Sequence, residues 1–350
     1  MSNPKQPDPA PKTDSGRRWL QALLSYSVAA ACLFWVFHDI NFHELLHSLE
    51  KVHWWWVPVS IVPNLLAYVC AAWEWEFLLR PVGRVPLLRL TQAVFAGRFA
   101  NDVLPVHVGY LIRLYLVSRW MQASLTKVIP SLLVERLFDG GWLALGIGVT
   151  ALFVSLPNEV LRTGEILGGL ILFGGALIGF VTLRRRSRGS TSRFADESGW
   201  KPIRKIVSFV ERMVEGVRQI GKSGHVLAVL LLSLLKLLIQ GAAFLTLLWA
   251  YGFNLPFWVQ AAVFLVATVG ISLPSTPAGA GVFQLFCVAG LTLFGVPKAA
   301  ASGFALLAFV TLTLPLSIAG FLALAQSGMT LRQIRQEIEQ VKKRVNNKIL

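Results

Sequence analysis

The run Arg98-Phe99-Ala100-Asn101-Asp102-Val103-Leu104-Pro105-Val106-His107-Val108-Gly109-Tyr110-Leu111-Ile112-Arg113 sets two guanidiniums, a carboxylate and an imidazole inside apolar sequence. A charge at membrane depth costs about 2.5–3.5 kcal/mol on insertion scales, so such residues face a polar interior. Pro105 and Gly109 interrupt helix there and leave backbone groups free to line a cavity. Arg98 and Arg113 could grip an anionic headgroup through paired N–H donors, with Asn101, Asp102 and His107 beside them. In the plainer alternative Arg98 pairs with Asp102 four residues on, and Arg113 snorkels to the membrane surface.

Three further clusters stand out. In Glu135-Arg136-Leu137-Phe138-Asp139 the two acids share a helical face, and the group is either a structural clamp or one wall of a site. Arg136, with acids on both sides, reads as a weaker anion ligand than Arg113. Lys236 lies mid-way in an apolar run with Gln240 one turn on, either as a ligand contact or as counter-ion to Asp139 or Asp102. Leu273-Pro274-Ser275-Thr276-Pro277-Ala278-Gly279-Ala280-Gly281 breaks a second apolar stretch, a loose echo of Leu104-Pro105 and Gly109. Paired breaks in two halves mark the midplane site of transporters built from inverted repeats. Pro105, Gly109, Pro274, Pro277, Gly279 and Gly281 are therefore expected to line one cavity. Finally, His43-Glu44-Leu45-Leu46-His47 fits the zinc pattern H-E-x-x-H, with Glu50 or His53 as a third ligand. Its setting is a short loop with little room for supporting contacts, so a polar interfacial helix is the commoner object.

The chain that must position these groups has 350 residues, 55% apolar and 15% charged, against about 25% charged in soluble domains. Its 33 Lys+Arg and 18 Asp+Glu leave a net +15. From Val226 to Ala325 the charged side chains are Lys236 and Lys298 alone. Water is not the solvent of that stretch. A soluble enzyme, a disordered chain and a collagen-like chain are excluded; what remains is an all-α, polytopic membrane protein. The basic excess fits loops facing anionic lipid rather than nucleic acid. Cys32, Cys70 and Cys287 sit in apolar runs as small core residues, and no cofactor or metal is expected.

Apolar runs predict about eight spans, near 20–37, 54–73, 137–156, 166–183, 226–249, 256–275, 279–296 and 300–325. The stretch 90–120 is expected instead to form a re-entrant hairpin, with an inverted repeat as a possible organisation. Residues 1–16, with four prolines, form a tail; 17–326 form the membrane domain; 327–350 form a terminal amphipathic helix. Arg17 and Arg18 precede an apolar run too long for a signal h-region, so the first span is retained. Basic clusters at 17–18, 80–89, 113–127, 184–222 and 332–348 put both termini in the cytoplasm. Trp54, Trp55 and Trp56 then mark the outer boundary, with Trp73 and Trp75 near the inner one. Segment 184–224 and the tail carry basic amphipathic patterns, suited to the inner leaflet or to a protein partner.

Three ordered motifs carry a resemblance: Asn101-x-x-Leu104-Pro105-x-x-x-Gly109-x-x-x-Arg113, Glu135-Arg136-x-x-Asp139, and Leu273-Pro274-x-x-Pro277-x-Gly279-x-Gly281. In order and spacing they resemble the lysylphosphatidylglycerol synthase transmembrane-region family, the flippase-like domain proteins, over about 17–325. The resemblance implies a multi-pass domain of a bacterial-type inner membrane. In the best-known relatives this domain moves aminoacylated phospholipid between leaflets and is fused to a soluble aminoacyltransferase. No such domain is visible here, so the resemblance implies a stand-alone member that does not make lysylphosphatidylglycerol. Other stand-alone members are associated with glycolipid, polyprenyl-lipid or hopanoid pathways. Where the family often has Arg and Gly-Glu in its first motif, this chain has His107 and Tyr110. Where a Glu commonly follows the second glycine-rich motif, it has Gln284. With two acids missing and Arg98, Arg113, Arg136 and Lys236 kept, an anionic or neutral headgroup fits better than a cationic one.

The leading expectation is a non-enzymatic lipid translocase holding a phosphate-bearing headgroup with Arg98, Asn101, Asp102, His107, Arg113, Glu135, Arg136, Asp139 and Lys236. The partner is then a membrane lipid of anionic or polyprenyl/glycolipid type, and Asp102, His107 or Asp139 could carry protons. A second reading is an accessory scaffold for a lipid-modifying membrane enzyme, with 203–222 and 331–348 as its partner surface. A third is a membrane metalloprotease through His43 and His47.

Overall fold

The computed structural model describes residues 15–38, 40, 42–50, 52–103, 109–155, 162, 165, 166, 169, 224–272 and 277–326. Among them the secondary structure is all helical, in ten α-helices. These are α1 (Ser15–Phe37), α2 (Phe42–Glu50), α3 (Trp56–Leu79), α4 (Leu87–Val103), α5 (Gly109–Trp120), α6 (Leu125–Ala151), α7 (Val226–Ala250), α8 (Phe257–Ser272), α9 (Val282–Leu293) and α10 (Lys298–Gln326). A short 3-10 turn, Pro277–Gly279, precedes α9. The span expected at 166–183 lies almost wholly outside the described residues, as do the basic helices at 203–222 and 331–348 and the tail 1–14.

The helices face outward with apolar side chains. On α7, Leu227, Leu231 and Leu238 are exposed while Val229, Ser233 and Lys236 are buried. On α10, Val310, Leu314, Ile318 and Phe321 are exposed, and small residues such as Ala301, Ala305 and Ala308 face in. Leucine outside and serine or lysine inside inverts the soluble pattern, as lipid solvent requires. Helices α3, α7 and α10 are each long and apolar enough to cross a bilayer. This is a multi-pass membrane protein.

The central pair is α3 against α7, and it runs antiparallel. His53 N–H donates to the Ala250 carbonyl at 2.7 Å at one end. Arg80 Nη1 lies 3.3 Å from His225 Nε2 at the other. A short helical hairpin follows each long helix, α4/α5 after α3 and α8/α9 after α7. Because α3 and α7 point in opposite directions, the hairpins enter the bundle from opposite ends. Each is opened by a proline, Pro86 and Pro256, whose carbonyls accept the first helical bonds, from Leu90 and Gln260. Each is closed by a long helix, α6 or α10. The packing repeats as well: α4 lies on α10 as α8 lies on α6, and α3 touches α10 as α7 touches α6. Helices α3–α6 and α7–α10 thus form two copies of one four-helix unit in opposite orientations.

The second hairpin differs from expectation. Residues 256–275 and 279–296 read as two spans, but they fold as helices of 16 and 12 residues. At 1.5 Å per residue these reach about 24 and 18 Å, short of the ~30 Å hydrocarbon core. The backbone between them turns left-handed at Ala278, Gly279 and Gly281 (φ 57°, 74° and 83°), the conformation glycine adopts without strain. Helix α6 also starts twelve residues before the expected 137, which places Glu135, Arg136 and Asp139 inside a helix rather than at its mouth. Helix α3 runs on to Leu79, so Trp75 is fully buried rather than belt-like, while Trp73 is exposed as expected.

The hairpins sit close because glycine lets backbones touch. A Cβ on Gly320 of α10 would come 2.6 Å from Phe99 Cβ and strike the Phe95 carbonyl of α4. Gly320→Ala should therefore overpack α10 against α4 and cost about 1–3 kcal/mol. Gly148→Ala, with open space around it, should be neutral or gain up to about 1 kcal/mol from helix propensity. Thermal unfolding of both variants in the same detergent checks the contrast.

Candidate functional site

The Pro277–Gly279 turn of the second hairpin packs on α4 of the first. Around that contact lies a half-open cavity of about 880 Å³. Its walls include Arg98, Asn101 and Asp102 from α4, and Gly109, Tyr110 and Arg113 from α5. Glu135, Arg136 and Asp139 come from α6, Ser233, Lys236 and Gln240 from α7, and Ser272, Ala278 and Gly279 from the second hairpin. The sequence motifs 100 to 180 residues apart therefore converge on one chamber. His107, Pro105 and Pro274 lie outside the described residues.

The polar residues do different jobs. Asn101 Oδ1 accepts the Gly109 N–H at 2.7 Å, capping α5 across the hairpin. Arg98 Nε lies 3.3 Å from Asp102 Oδ1, the i,i+4 pair of the plainer reading. Ser317 of α10 donates to Asp102 Oδ2 at 2.6 Å, which ties α4 to α10. Arg113 does not snorkel. Its two terminal nitrogens donate to the two carboxylate oxygens of Glu135 at 2.9 and 2.8 Å. Its guanidinium also stacks 3.8 Å from the Trp75 ring centroid, and Trp75 in turn donates to Ser131 at 2.9 Å. Both members of the Arg113–Glu135 pair are buried.

Lys236 stands between two carboxylates. Its ammonium donates to Glu74 Oε2 at 2.8 Å and lies 2.5 Å from Asp139 Oδ1. Ser233 adds a hydrogen bond to the same Asp139 oxygen. Glu74 is fully buried, and its Oε1 has no hydrogen-bond partner. The sequence pointed to Asp139 as one counter-ion of Lys236 but missed Glu74. The clue was there: an amine in a 25-residue apolar helix needs compensation, and Glu74 is the acid that a longer α3 would bury.

Arg136 is the exception among the cations. It is exposed, it lines the chamber, and no carboxylate among the described residues lies within ion-pair distance of it. Its guanidinium instead sits over the Tyr110 ring at 4.3 Å. The expected ranking of the two arginines is thus reversed: Arg113 is committed to Glu135, and Arg136 is available. Glu135 and Asp139, the acids flanking Arg136 in sequence, are turned to Arg113 and Lys236.

Two of the glycines have separate tasks. Gly279 lines the chamber, whereas Gly281 faces α1, where a Cβ would meet the Ala29 carbonyl. Gln284, in the place of an expected Glu, accepts the Gly281 N–H at 2.7 Å and caps α9 while buried. A neutral amide does this without adding a charge. The H-E-x-x-H segment forms α2, where His43 and His47 are exposed and His47 pairs with Glu50 at 2.9 Å. Among the described residues no three His, Cys, Asp or Glu side chains come together as a metal site.

The comparisons with known proteins agree with this architecture. The family model for the lysylphosphatidylglycerol synthase TM region matches residues 21–320. The chain is also similar to a UPF0104 membrane protein of Methanothermobacter thermautotrophicus, 20% identical over 304 residues, covering 84% of this chain and 88% of that one.

The geometry separates two kinds of arginine. Arg113→Ala strands buried Glu135 and should cost about 3–5 kcal/mol, whereas replacing both members by apolar residues should recover most of it. Arg136→Ala should stay within about 1 kcal/mol of the parent. Denaturation in matched detergent, with the double variant closing the cycle, measures all three.

Proposed function

The chain belongs to the lysylphosphatidylglycerol synthase TM region family, and from that premise we propose that it binds the anionic headgroup of a membrane lipid in the chamber and passes it between leaflets. The observation that supports this most directly is the exposed Arg136 guanidinium on the chamber wall, with an aromatic ring beneath it in place of a carboxylate. A guanidinium presents a planar fork of donors that suits phosphate oxygens. Outside the chamber the helix surface is leucine and phenylalanine, so acyl chains can stay in lipid while the headgroup is held inside. The headgroup then exchanges water for Arg136 and its polar neighbours, which offsets its desolvation.

Position 110 supports the sign of the ligand. An acid there would lie beside Arg136 and neutralise it; Tyr110 leaves the charge free and adds a face for cation–π contact. A cationic headgroup would meet an unpaired arginine at the one place where a ligand has a charge to answer. The reading involves no bond making or breaking and no cofactor. It places the protein in the plasma (inner) membrane, with the basic loops on the cytoplasmic side. The alternatives have less support. The scaffold reading rests on segments outside the described residues, and the protease reading on two exposed histidines.

In proteoliposomes carrying a fluorescent phosphatidylglycerol, the parent should speed movement of the probe between leaflets. Arg136→Ala should lower that rate at least about tenfold, in line with loss of one charge-assisted contact of 1.5–3 kcal/mol. An undiminished rate in Arg136→Ala, at equal reconstitution and with the fold intact, defeats the assignment.

A further inference from the structure

Among the described residues, the charge around the chamber is four cations, Arg98, Arg113, Arg136 and Lys236, and four acids, Glu74, Asp102, Glu135 and Asp139. Two neutral pairs, Arg98–Asp102 and Arg113–Glu135, cancel locally. What is left is uneven. Lys236 faces two carboxylates and carries a net −1 with them, and Arg136, three residues before Asp139 on α6, supplies the balancing +1. The chamber is neutral only while Arg136 counts toward the Glu74–Lys236–Asp139 trio.

A headgroup with one negative charge that takes Arg136 for itself upsets this balance. The trio is then left with an uncompensated −1 inside the bundle, which low-dielectric surroundings penalise heavily. The remedy is a proton. Resting on the headgroup reading above, we infer that binding of a monoanionic phosphodiester lipid is coupled to uptake of one proton by the Glu74–Lys236–Asp139 trio, and that Glu74 is where the proton lands.

Glu74 is singled out by geometry. Asp139 is partly exposed and receives both Ser233 and Lys236. Glu74 is fully buried, gives one oxygen to Lys236, and holds the other, Oε1, against the interior with no donor. An acceptor-only oxygen in that position gains most from becoming an O–H. The charged and titratable groups near it among the described residues are few. Helix α7 brings Lys236, and α6 brings Asp139, Glu135 and Arg136. Helix α5 brings Arg113, already held by Glu135, and α4 brings the self-cancelling Arg98–Asp102 pair. On α3 itself Cys70 and Tyr68 lie a turn or more away, and α10 carries no titratable side chain after Lys298. Linkage makes the effect reciprocal: the lipid raises proton affinity, and protons raise lipid affinity. With water on both sides of the membrane at different pH, this coupling would bias the direction in which the headgroup moves.

The experiment is a calorimetric titration of the full chain in detergent with short-chain phosphatidylglycerol, short-chain phosphatidylcholine serving as control. Repeating it in buffers of different ionisation enthalpy counts protons. The parent should bind phosphatidylglycerol with uptake approaching one proton, and affinity should fall by up to about tenfold per pH unit as pH rises. Glu74→Gln should retain binding with uptake near zero and a flat pH profile. Binding by the parent with no proton uptake between pH 5.5 and 8.5 overturns this inference and leaves the headgroup reading standing. No binding of phosphatidylglycerol at all overturns both. Undiminished uptake in Glu74→Gln removes Glu74 from the role. Should that variant not fold, the parent's proton count alone still decides the coupling.

Discussion

Charged side chains buried among helices that show leucine to lipid cannot be left alone, and that cost organises the whole bundle. Several of the strongest polar contacts in the interior join different helices. Arg113–Glu135 fastens α5 to α6, Lys236 fastens α7 to α3 and α6, and Ser317–Asp102 fastens α10 to α4. Without a hydrophobic drive between helices, such contacts and close glycine packing are what membrane bundles have available. The same pairs lie on the chamber wall, so the contacts that join the helices also shape the cavity.

Backbone and charge follow different symmetries. Two four-helix units repeat in opposite orientations around the antiparallel α3/α7 pair, down to the proline that opens each hairpin. Yet the charges do not repeat. The first unit carries Glu74, Arg98, Asp102, Arg113, Glu135, Arg136 and Asp139, while the second carries Lys236 at depth and little else. Where the first hairpin is capped by Asn101, the second is capped by Gln284, and both are neutral amides. A repeat of this kind can rock about its central pair with its backbone matched on both sides. The charge asymmetry means that most of the charged groups on the chamber wall belong to one unit, while the other contributes Lys236, Ser233, Gln240 and Ser272 to it.

The fold class, the first apolar helix, the two helices of the 98–113 hairpin and the break near 277–281 were legible in the sequence, because hydropathy and helix-breaking residues report on backbone and solvent directly. The convergence of Arg98, Arg113, Arg136, Asp139 and Lys236 was legible too, since membrane-depth charges must find one another. Pairing was not. Which acid meets which base depends on helix rotation and end points. Extending α3 by six residues buried Glu74 and Trp75, and extending α6 by twelve carried Glu135 inward to Arg113. Hydropathy windows blur ends by about that much, because a Trp-Glu-Trp-Glu run looks like an interface until a lysine is placed opposite it. The second hairpin was concealed for a related reason: two short apolar helices in sequence are indistinguishable from two spans until their lengths are known.

The substitutions at 110 and 284 make the same point from the ligand's side. A carboxylate at 110 would add a negative charge to a space whose described groups balance at four and four. At 284 the amide caps α9 from a buried position, so nothing is lost by its neutrality. At 110 the change from acid to phenol has a consequence, because it leaves Arg136 with a ring for support and its charge unanswered. On the inference drawn above, the chamber has two neutral states: either Arg136 balances the Glu74–Lys236–Asp139 trio, or an anion takes Arg136 and a proton goes to Glu74. Those two states differ by one ligand charge and one proton, both drawn from outside, so the interior is neutral in each. On the proposed reading, carriage of a charged headgroup through hydrocarbon surroundings gains from that arrangement, since neither the empty nor the loaded chamber then holds a net buried charge.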